Sequence, residues 1–507
     1  MHDYGFWSVV PPLLAIVLAI RTKQVYISLL LGIWLSWVII AGGDIFSGTY
    51  NSIMALVDVF KDAGNTKTIM FSALVGGLII LIQKSGGVAG FVRWVDQKLA
   101  LASAVSTSST ADTVTEPVEV TARKKTQFFA WLTGVIIFVE TSISSLTVGT
   151  VFRPVFDKLK ISREKLAYIA DSSSAPTSIL IPFNAWGAFI IGLLLTQGFD
   201  DGFGVLFKAM RYNFYPVLAL LLVLVVIFFD WNIGPMKKAE ERARKEGKVL
   251  SDDAKPMVSG ALTAVAPQTT KYRAYNMTIP LAVMVLMMPV TLIVDGWQKA
   301  TDLVGETFSI PKIFSAISHG SGSTAVLIAV LTAIFTAMLM YRTQKIAKIT
   351  EMFDWVLKGI SEMMPLALLM MLAFAISHVT KELGTGQYVA QLSKDFLSPA
   401  LVPVIIFIIA AFIAFSTGTS WGTFAIMIPI AVQMAQNLDV NPYLSIAAVL
   451  SGGVFGDHSS PISDTTIISS MASASDHIDH VKTQLPYALI AGGLAALLFL
   501  ITGIMHF

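Results

Sequence analysis

The chain has no cysteine among its 507 residues, so disulfides and thiolate metal sites are excluded. Charge is also scarce. Lys, Arg, Asp and Glu make up 13% of the residues, about half the share found in an average soluble domain. The net charge of +2 gives no electrostatic footprint for nucleic acid. No His-Glu-x-x-His motif is present. The Met1–Ser8 stretch lacks a basic region, and no small-x-small cleavage site follows Val9–Ile20, so that apolar stretch reads as a retained segment rather than a removed signal.

What fills the space is apolar. Hydrophobic residues reach 55% and the mean hydropathy is +0.71. They fall in uninterrupted blocks such as Tyr215–Phe229, Ile279–Val294, Ser323–Met340, Ala400–Phe415 and Leu485–Ile504. A span needs about 20 mostly apolar residues to cross a core of about 30 Å. By that measure the chain predicts an all-α, polytopic membrane protein with about ten to thirteen transmembrane segments. The lipid bilayer is therefore its first partner.

The polar stretches divide the chain. Residues 1–50 hold N-terminal membrane segments, 51–235 a first repeat, 236–273 a charged loop, 274–345 linking membrane segments and 346–507 a second repeat. Gly86–Leu99 has the pattern of an interfacial helix. Ala104–Lys125, rich in Ser, Thr and charge, reads as a disordered loop. Met236–Lys271 reads as a solvated helix followed by a loop, and its Lys and Arg place it in the cytoplasm.

Two polar interruptions stand out. Residues 170–178 read Ala-Asp-Ser-Ser-Ser-Ala-Pro-Thr-Ser, and residues 456–466 read Gly-Asp-His-Ser-Ser-Pro-Ile-Ser-Asp-Thr-Thr. Each places an acid, small hydroxyls and a proline among apolar runs. An acid and a helix breaker at membrane depth are costly, which marks a functional site. A pair in corresponding halves predicts two structural repeats with broken helices and a central binding site. Aligning Pro154 with Pro429 sets Glu140 opposite Phe415, and the two interruptions set Asp171 opposite Asp457. The residues alone do not decide whether the copies are parallel or inverted.

The candidate cation and proton ligands follow. Asp171 and Asp457 form the central pair. Glu140, about 18 Å into an apolar run at 1.5 Å per residue, and Asp464 support them. Ser173, Ser174, Thr417, Ser459 and Ser460 supply neutral oxygens, with a hard cation placed at Asp457, Ser459 and Asp171. Capping of the following helix is the competing role, and for Asp464 the two are evenly matched. Asn184, Trp186, His458 and Thr419 are candidates for lining a solute pocket. The crowded Asp476-His477-Ile478-Asp479-His480 reads as a polar loop before the last span, since a metal site needs a full ligand set.

Residues 452–466 (Gly-Gly-Val-Phe-Gly-Asp-His-Ser-Ser-Pro-Ile-Ser-Asp-Thr-Thr), 476–487 (Asp-His-Ile-Asp-His-Val-Lys-Thr-Gln-Leu-Pro-Tyr) and 168–176 (Tyr-Ile-Ala-Asp-Ser-Ser-Ser-Ala-Pro) resemble the NhaC-type sodium/proton antiporter family. The resemblance implies a multi-pass transporter of a bacterial inner membrane, with inverted repeats, a homodimeric assembly, and Na+ and H+ as transported ions rather than a bound cofactor. It carries the family motif onto Asp457, Ser459, Ser460, Pro461 and Asp464, and onto Asp171, Ser173, Ser174 and Pro176. Members that move organic acids or amino acids leave a second expectation open, a Na+- or H+-coupled carrier of a small organic solute. An intramembrane enzyme lacks support, because His458–Ser460 brings Ser and His together without a triad or metal set.

Overall fold

The computed structural model describes residues 4–22, 24–91, 93–94, 116–138, 141–182, 184–199, 201–256, 272–385, 388 and 398–505. Among them the chain is helical, with no named strand. Seven segments are long and apolar enough to cross a membrane: Ala63–Lys84, Phe214–Glu246, Tyr275–Val304, Gly322–Thr343, Ile349–Glu382, Pro399–Thr417 and His477–Met505. Two shorter apolar helices, Gly5–Leu18 and Tyr26–Ile40, precede them. The remaining central helices are shorter or richer in hydroxyls, and pair end to end at breaks.

The helices in chain order are α1 (Val10–Thr22), α2 (Val25–Ile40), α3 (Ile45–Asp58), α4 (Ala63–Lys84), α5 (Glu116–Ile136), α6 (Thr141–Lys158), α7 (Arg163–Leu180), α8 (Ala185–Thr196), α9 (Gly202–Ala209) and α10 (Phe214–Phe229). They continue as α11 (Gly234–Glu246), α12 (Tyr275–Val304), α13 (Ile310–His319), α14 (Gly322–Thr343), α15 (Ile349–Glu382), α16 (Val402–Thr417), α17 (Ser420–Asn437), α18 (Pro442–Ser459), α19 (Asp464–Ser473) and α20 (His477–Met505).

The helix starts expose the repeat. Helices α6, α7 and α8 begin at 141, 163 and 185; α17, α18 and α19 begin at 420, 442 and 464, a constant offset of 279 residues. The break at Ile181, Pro182 and Asn184 therefore matches Ser460, Pro461 and Ser463. This corrects the expected pairing. Asp171 lies inside a continuous α7, two helical turns before Ser178, and Ser178 is the residue that corresponds to Asp457. Pro154 likewise does not correspond to Pro429. Pro176 does not end α7, although it removes one backbone donor. Neighbouring hydroxyls bond back to helix carbonyls there, Ser173 Oγ to Ile169 O at 2.7 Å and Thr177 Oγ1 to Ser173 O at 2.7 Å.

Two expectations about polar segments also change. Residues 116–125 are not loop but the start of α5, and residues 101–115 lie outside the described residues; of 86–99, residues 87–91 and 93–94 are helical, and 92 and 95–99 lie outside the described residues. Helix α11 is not simply solvated: Glu240 is 2% exposed. Its carboxylate accepts from Arg123 Nη2 of α5 at 2.8 Å, and from the N–H and Oγ of Ser162 at 2.9 and 2.8 Å. Lys165 Nζ stands 3.8 Å away. A buried acid so closely compensated is structural.

Helices α4 and α15 approach so closely that a Cβ on Gly76 would strike the Gly359 carbonyl, and the reverse holds for Gly359. Gly76→Leu is expected to force these helices apart and cost about 1–3 kcal/mol, read as a lower unfolding temperature in detergent. Arg123→Ala is expected to cost about 3 kcal/mol by removing the closest cationic partner of the buried Glu240. Adding Glu240→Gln to that variant recovers part of the loss in the same measurement.

Candidate functional site

The site forms where breaks meet. In the first copy, the turn after α5 presents the Phe138 carbonyl, which accepts from Ser178 Oγ at 3.0 Å and Asn184 Nδ2 at 3.2 Å. In the second, α16 ends at Gly418, which is left-handed at φ 67° and packs its Cα against the Ile462 carbonyl. A larger residue fits neither that conformation nor that contact. Ser460 Oγ donates to Phe415 O at 2.7 Å across the same junction. The junctions touch through Trp186, at the start of α8, whose ring lies 5.4 Å from Trp421 and 5.8 Å from Phe424.

Asp457 is the last-turn acid of α18 and is 3% exposed. Its Oδ2 accepts from the Ser420 N–H at 3.0 Å and Ser420 Oγ at 2.5 Å, at the N-terminus of α17. Its Oδ1 is buried with no hydrogen bond inside 3.5 Å among the described residues, and the Ser463 side chain is a further neutral group acting on the carboxyl.

Asp171 is fully buried. All its donors come from the second copy and the last helix. Gln484 Nε2 donates at 2.6 Å, Thr466 Oγ1 at 3.4 Å and Ser469 Oγ at 3.4 Å. His458 Nε2 lies 3.9 Å from Oδ2 and 3.1 Å from Ser172 Oγ, while His458 Nδ1 meets the Tyr215 hydroxyl at 2.9 Å. Among the described residues no Lys or Arg pairs with Asp171 or Asp457. His458 thus follows Asp457 in α18 while its ring faces the Asp171 cluster.

The other named residues sort as follows. Ser459 Oγ donates to Phe455 O at 2.6 Å, Thr417 Oγ1 to Ile413 O at 2.8 Å and Ser174 Oγ to Asp171 O at 3.1 Å. The hydrogens of Ser459, Thr417 and Ser173 serve their own helices and leave oxygen lone pairs for coordination, whereas Ser174 Oγ also meets Ser145 Oγ of α6 at 2.8 Å. Asp464 is exposed at the start of α19, where its Oδ1 accepts from the Thr465 N–H at 2.8 Å. Thr419 is the N-cap residue of α17, and Asn184 caps α8 through Gly187 N–H at 3.1 Å. Glu140 lies outside the described residues. The segment 476–480 is not a loop: His477 opens α20, capped by Asp476 Oδ1 accepting from Ile478 N–H at 2.9 Å and Asp479 N–H at 3.0 Å.

Sequence reading missed Ser420, Thr466, Ser469 and Gln484 as partners of the acids, and Tyr215 as the partner of His458. Ser420 sits in the Ser416–Thr423 hydroxyl cluster, Thr466 in the 452–466 motif and Gln484 in the 476–487 motif. Nothing in the apolar run beginning at Tyr215 signalled its contact.

Helices broken at a buried, acid-bearing centre define a multi-pass secondary transporter. A solved structure, the YdaH transporter of Alcanivorax borkumensis, shares the fold with a TM-score of 0.54 at 13% identity, over 90% of this chain and 88% of that one. The chain belongs to the Na+/H+ antiporter family, whose sequence profile matches residues 188–504. An uncharacterized protein of Haemophilus influenzae is 31% identical over 99% of this chain and 91% of its own length. The malate-2H(+)/Na(+)-lactate antiporter of Bacillus subtilis is 33% identical over a shorter stretch, 22% of this chain and 24% of its own. The family and its named relative are transporters, not enzymes.

Asp171 depends most on one donor. Gln484→Leu is expected to cost about 1–3 kcal/mol by leaving a buried carboxyl with only its two long hydroxyl contacts. The loss is read by thermal unfolding, and should shrink when Asp171→Leu is added.

Proposed function

We propose that the protein exchanges Na+ for H+ across a bacterial inner membrane by alternating access. The reading rests on one observation above all, the buried Oδ1 of Asp457 at a helix break, without a hydrogen bond inside 3.5 Å among the described residues. A carboxylate oxygen in that position needs either a proton or a cation, because a buried, unpaired charge costs several kcal/mol. Lone pairs of Ser459, Ser460 and Thr417, and carbonyls released at the break, supply the further oxygens a hard cation takes. Asp171, held by neutral donors without a Lys or Arg, is the second exchangeable acid. Protonation removes the charge that holds Na+, so the two ions compete and their fluxes are coupled.

A second reading, exchange of a small organic anion with cation coupling, is favoured by the likeness to the malate/lactate antiporter. The N-terminal ends of α17 and α19 open onto the α16–α17 and α18–α19 breaks, where a carboxylate finds N–H donors.

Purified protein in liposomes separates the readings when Na+ and pH gradients are varied independently. Exchange predicts Na+-driven proton movement without added solute. Asp457→Asn and Asp171→Asn should each reduce coupled flux by at least about 100-fold, the loss of about 2.7 kcal/mol of ion binding. Full coupled flux in both variants would remove the acids from the site. Flux seen only with a dicarboxylate or hydroxy acid present would favour the second reading.

A further inference from the structure

Two histidines outside the acids' immediate contacts are joined by a single hydroxyl. Ser470 Oγ of α19 lies 3.0 Å from His477 Nδ1 and 2.8 Å from His480 Nδ1, both in the first turn of α20. The protons on the far ring nitrogens can be assigned from chemistry. His477 Nε2 lies 2.6 Å from the Pro461 carbonyl, which only accepts, so Nε2 carries hydrogen. Gln484 Nε2 donates to Asp171 Oδ2 at 2.6 Å and to His458 O at 2.5 Å, both acceptors. That orients the amide, and its Oε1 faces His480 Nε2 at 2.9 Å, so this nitrogen carries hydrogen as well.

Both neutral rings would then turn a bare Nδ1 lone pair toward Ser470. Its hydroxyl has one hydrogen, and the Thr466 carbonyl at 2.8 Å competes for it. One added proton resolves the deficit. An imidazolium donates from Nδ1 to Ser470 Oγ, and Ser470 donates its own hydrogen to the other Nδ1.

We infer that His477, Ser470 and His480 hold one shared proton and form an entry station that carries it from the partly exposed ring to the buried one, beside the Asp171 centre. The inference rests on the antiport reading above and adds the route to it. His477 is partly exposed and His480 is fully buried. Inward transfer breaks the Nδ1–H bond of His477 as an O–H bond forms on Ser470. The original Ser470 O–H breaks as an Nδ1–H bond forms on His480, so one positive charge moves one ring inward. Gln484 passes on no proton itself. It holds His480 beside Asp171, where a cationic ring stabilises the carboxylate.

Titratable and charged groups of both signs face the pair. Asp476 adjoins His477; its partial burial pushes the carboxyl up, but N–H groups of Lys255, Asp479 and Ile478 outweigh this and hold it below the usual carboxylate range. Asp479 accepts from Ser251 Oγ at 2.7 Å, and Lys482 of the same helix is exposed. From α7 come Asp171 and Arg163, the latter donating to Ala474 O at 3.2 Å and paired with Asp157 of α6 at 3.0 Å. His458 faces the group from α18, and Asp464 opens α19.

The test is a histidine side-chain titration by nitrogen-15 NMR on the purified full chain, whose seven histidines can be assigned with His477→Gln and His480→Gln. The expected result is that Nδ1 of both rings shifts with one common midpoint. Ser470→Ala should separate this into two midpoints or move it by about one pH unit. In liposomes His477→Gln should shift the pH midpoint of Na+-driven proton movement by a similar amount. Independent midpoints in the parent protein, or an unchanged titration in Ser470→Ala, overturn the shared proton. An unshifted flux profile in His477→Gln overturns its role as entry station. Because the titration needs no cargo, a shared midpoint without any Na+-driven proton flux sinks the antiport reading and the entry role while leaving the proton site standing.

Discussion

Everything at the centre follows from burying acids without basic partners. Asp171 and Asp457 are 0% and 3% exposed, and the strongest contacts to each come from neutral donors. Glu240 shows the contrast within the same chain. It is equally buried, yet Arg123 and Lys165 reach it and Ser162 donates twice. A paired buried acid locks elements together; an unpaired one must borrow a proton or a metal cation. The architecture around the two aspartates supplies that environment: an N-terminal helix turn at Ser420, hydroxyls turned into their own helices, and a break that frees backbone oxygen.

The class of fold was legible from the scarcity of charge and the apolar blocks, because bilayer thickness constrains helix length directly. The second break was legible too, since Pro461 sits between residues that cap and turn readily. The first was misplaced by one acid. Asp171-Ser-Ser-Ser-Ala-Pro imitates the second motif, but a proline late in a helix is tolerated when side-chain hydroxyls and neighbouring helices satisfy the backbone. The true break at Pro182 is flanked by Ile181 and Phe183, apolar residues that give no warning. Only the constant spacing of helix starts aligns Pro182 with Pro461 and Ser178 with Asp457.

The site was half legible for a related reason. An acid in an apolar run announces itself, whereas its partner does not. Gln484 and Ser469 lie about 300 residues from Asp171 along the chain, each in a segment whose own pattern is ordinary. Their role exists only after α19 and α20 have packed against α7. Asp464 shares the motif but occupies an exposed helix start, where the helix dipole favours an acid and its Oδ1 accepts from the Thr465 N–H, the capping side of the even choice its sequence leaves.

The charged segment after α10 ties these parts together. Arg242 of α11 bonds Glu164 at 2.7 Å, and the Val249 carbonyl accepts from the Arg163 N–H at 3.1 Å, both at the N-terminal end of α7. A few residues on, the Lys255 N–H reaches Asp476 Oδ2 at 2.9 Å and Ser251 Oγ reaches Asp479 at 2.7 Å. The same strap thus grips the helix that carries Asp171 and the corner that begins α20, whose Gln484 is its shortest donor. Any motion that parts α7 from α20 breaks bonds at both ends of the strap. Exposing Asp171 by that motion therefore costs contacts outside the membrane core as well as within it. A displacement that carries α7 and α20 as one body leaves the strap intact.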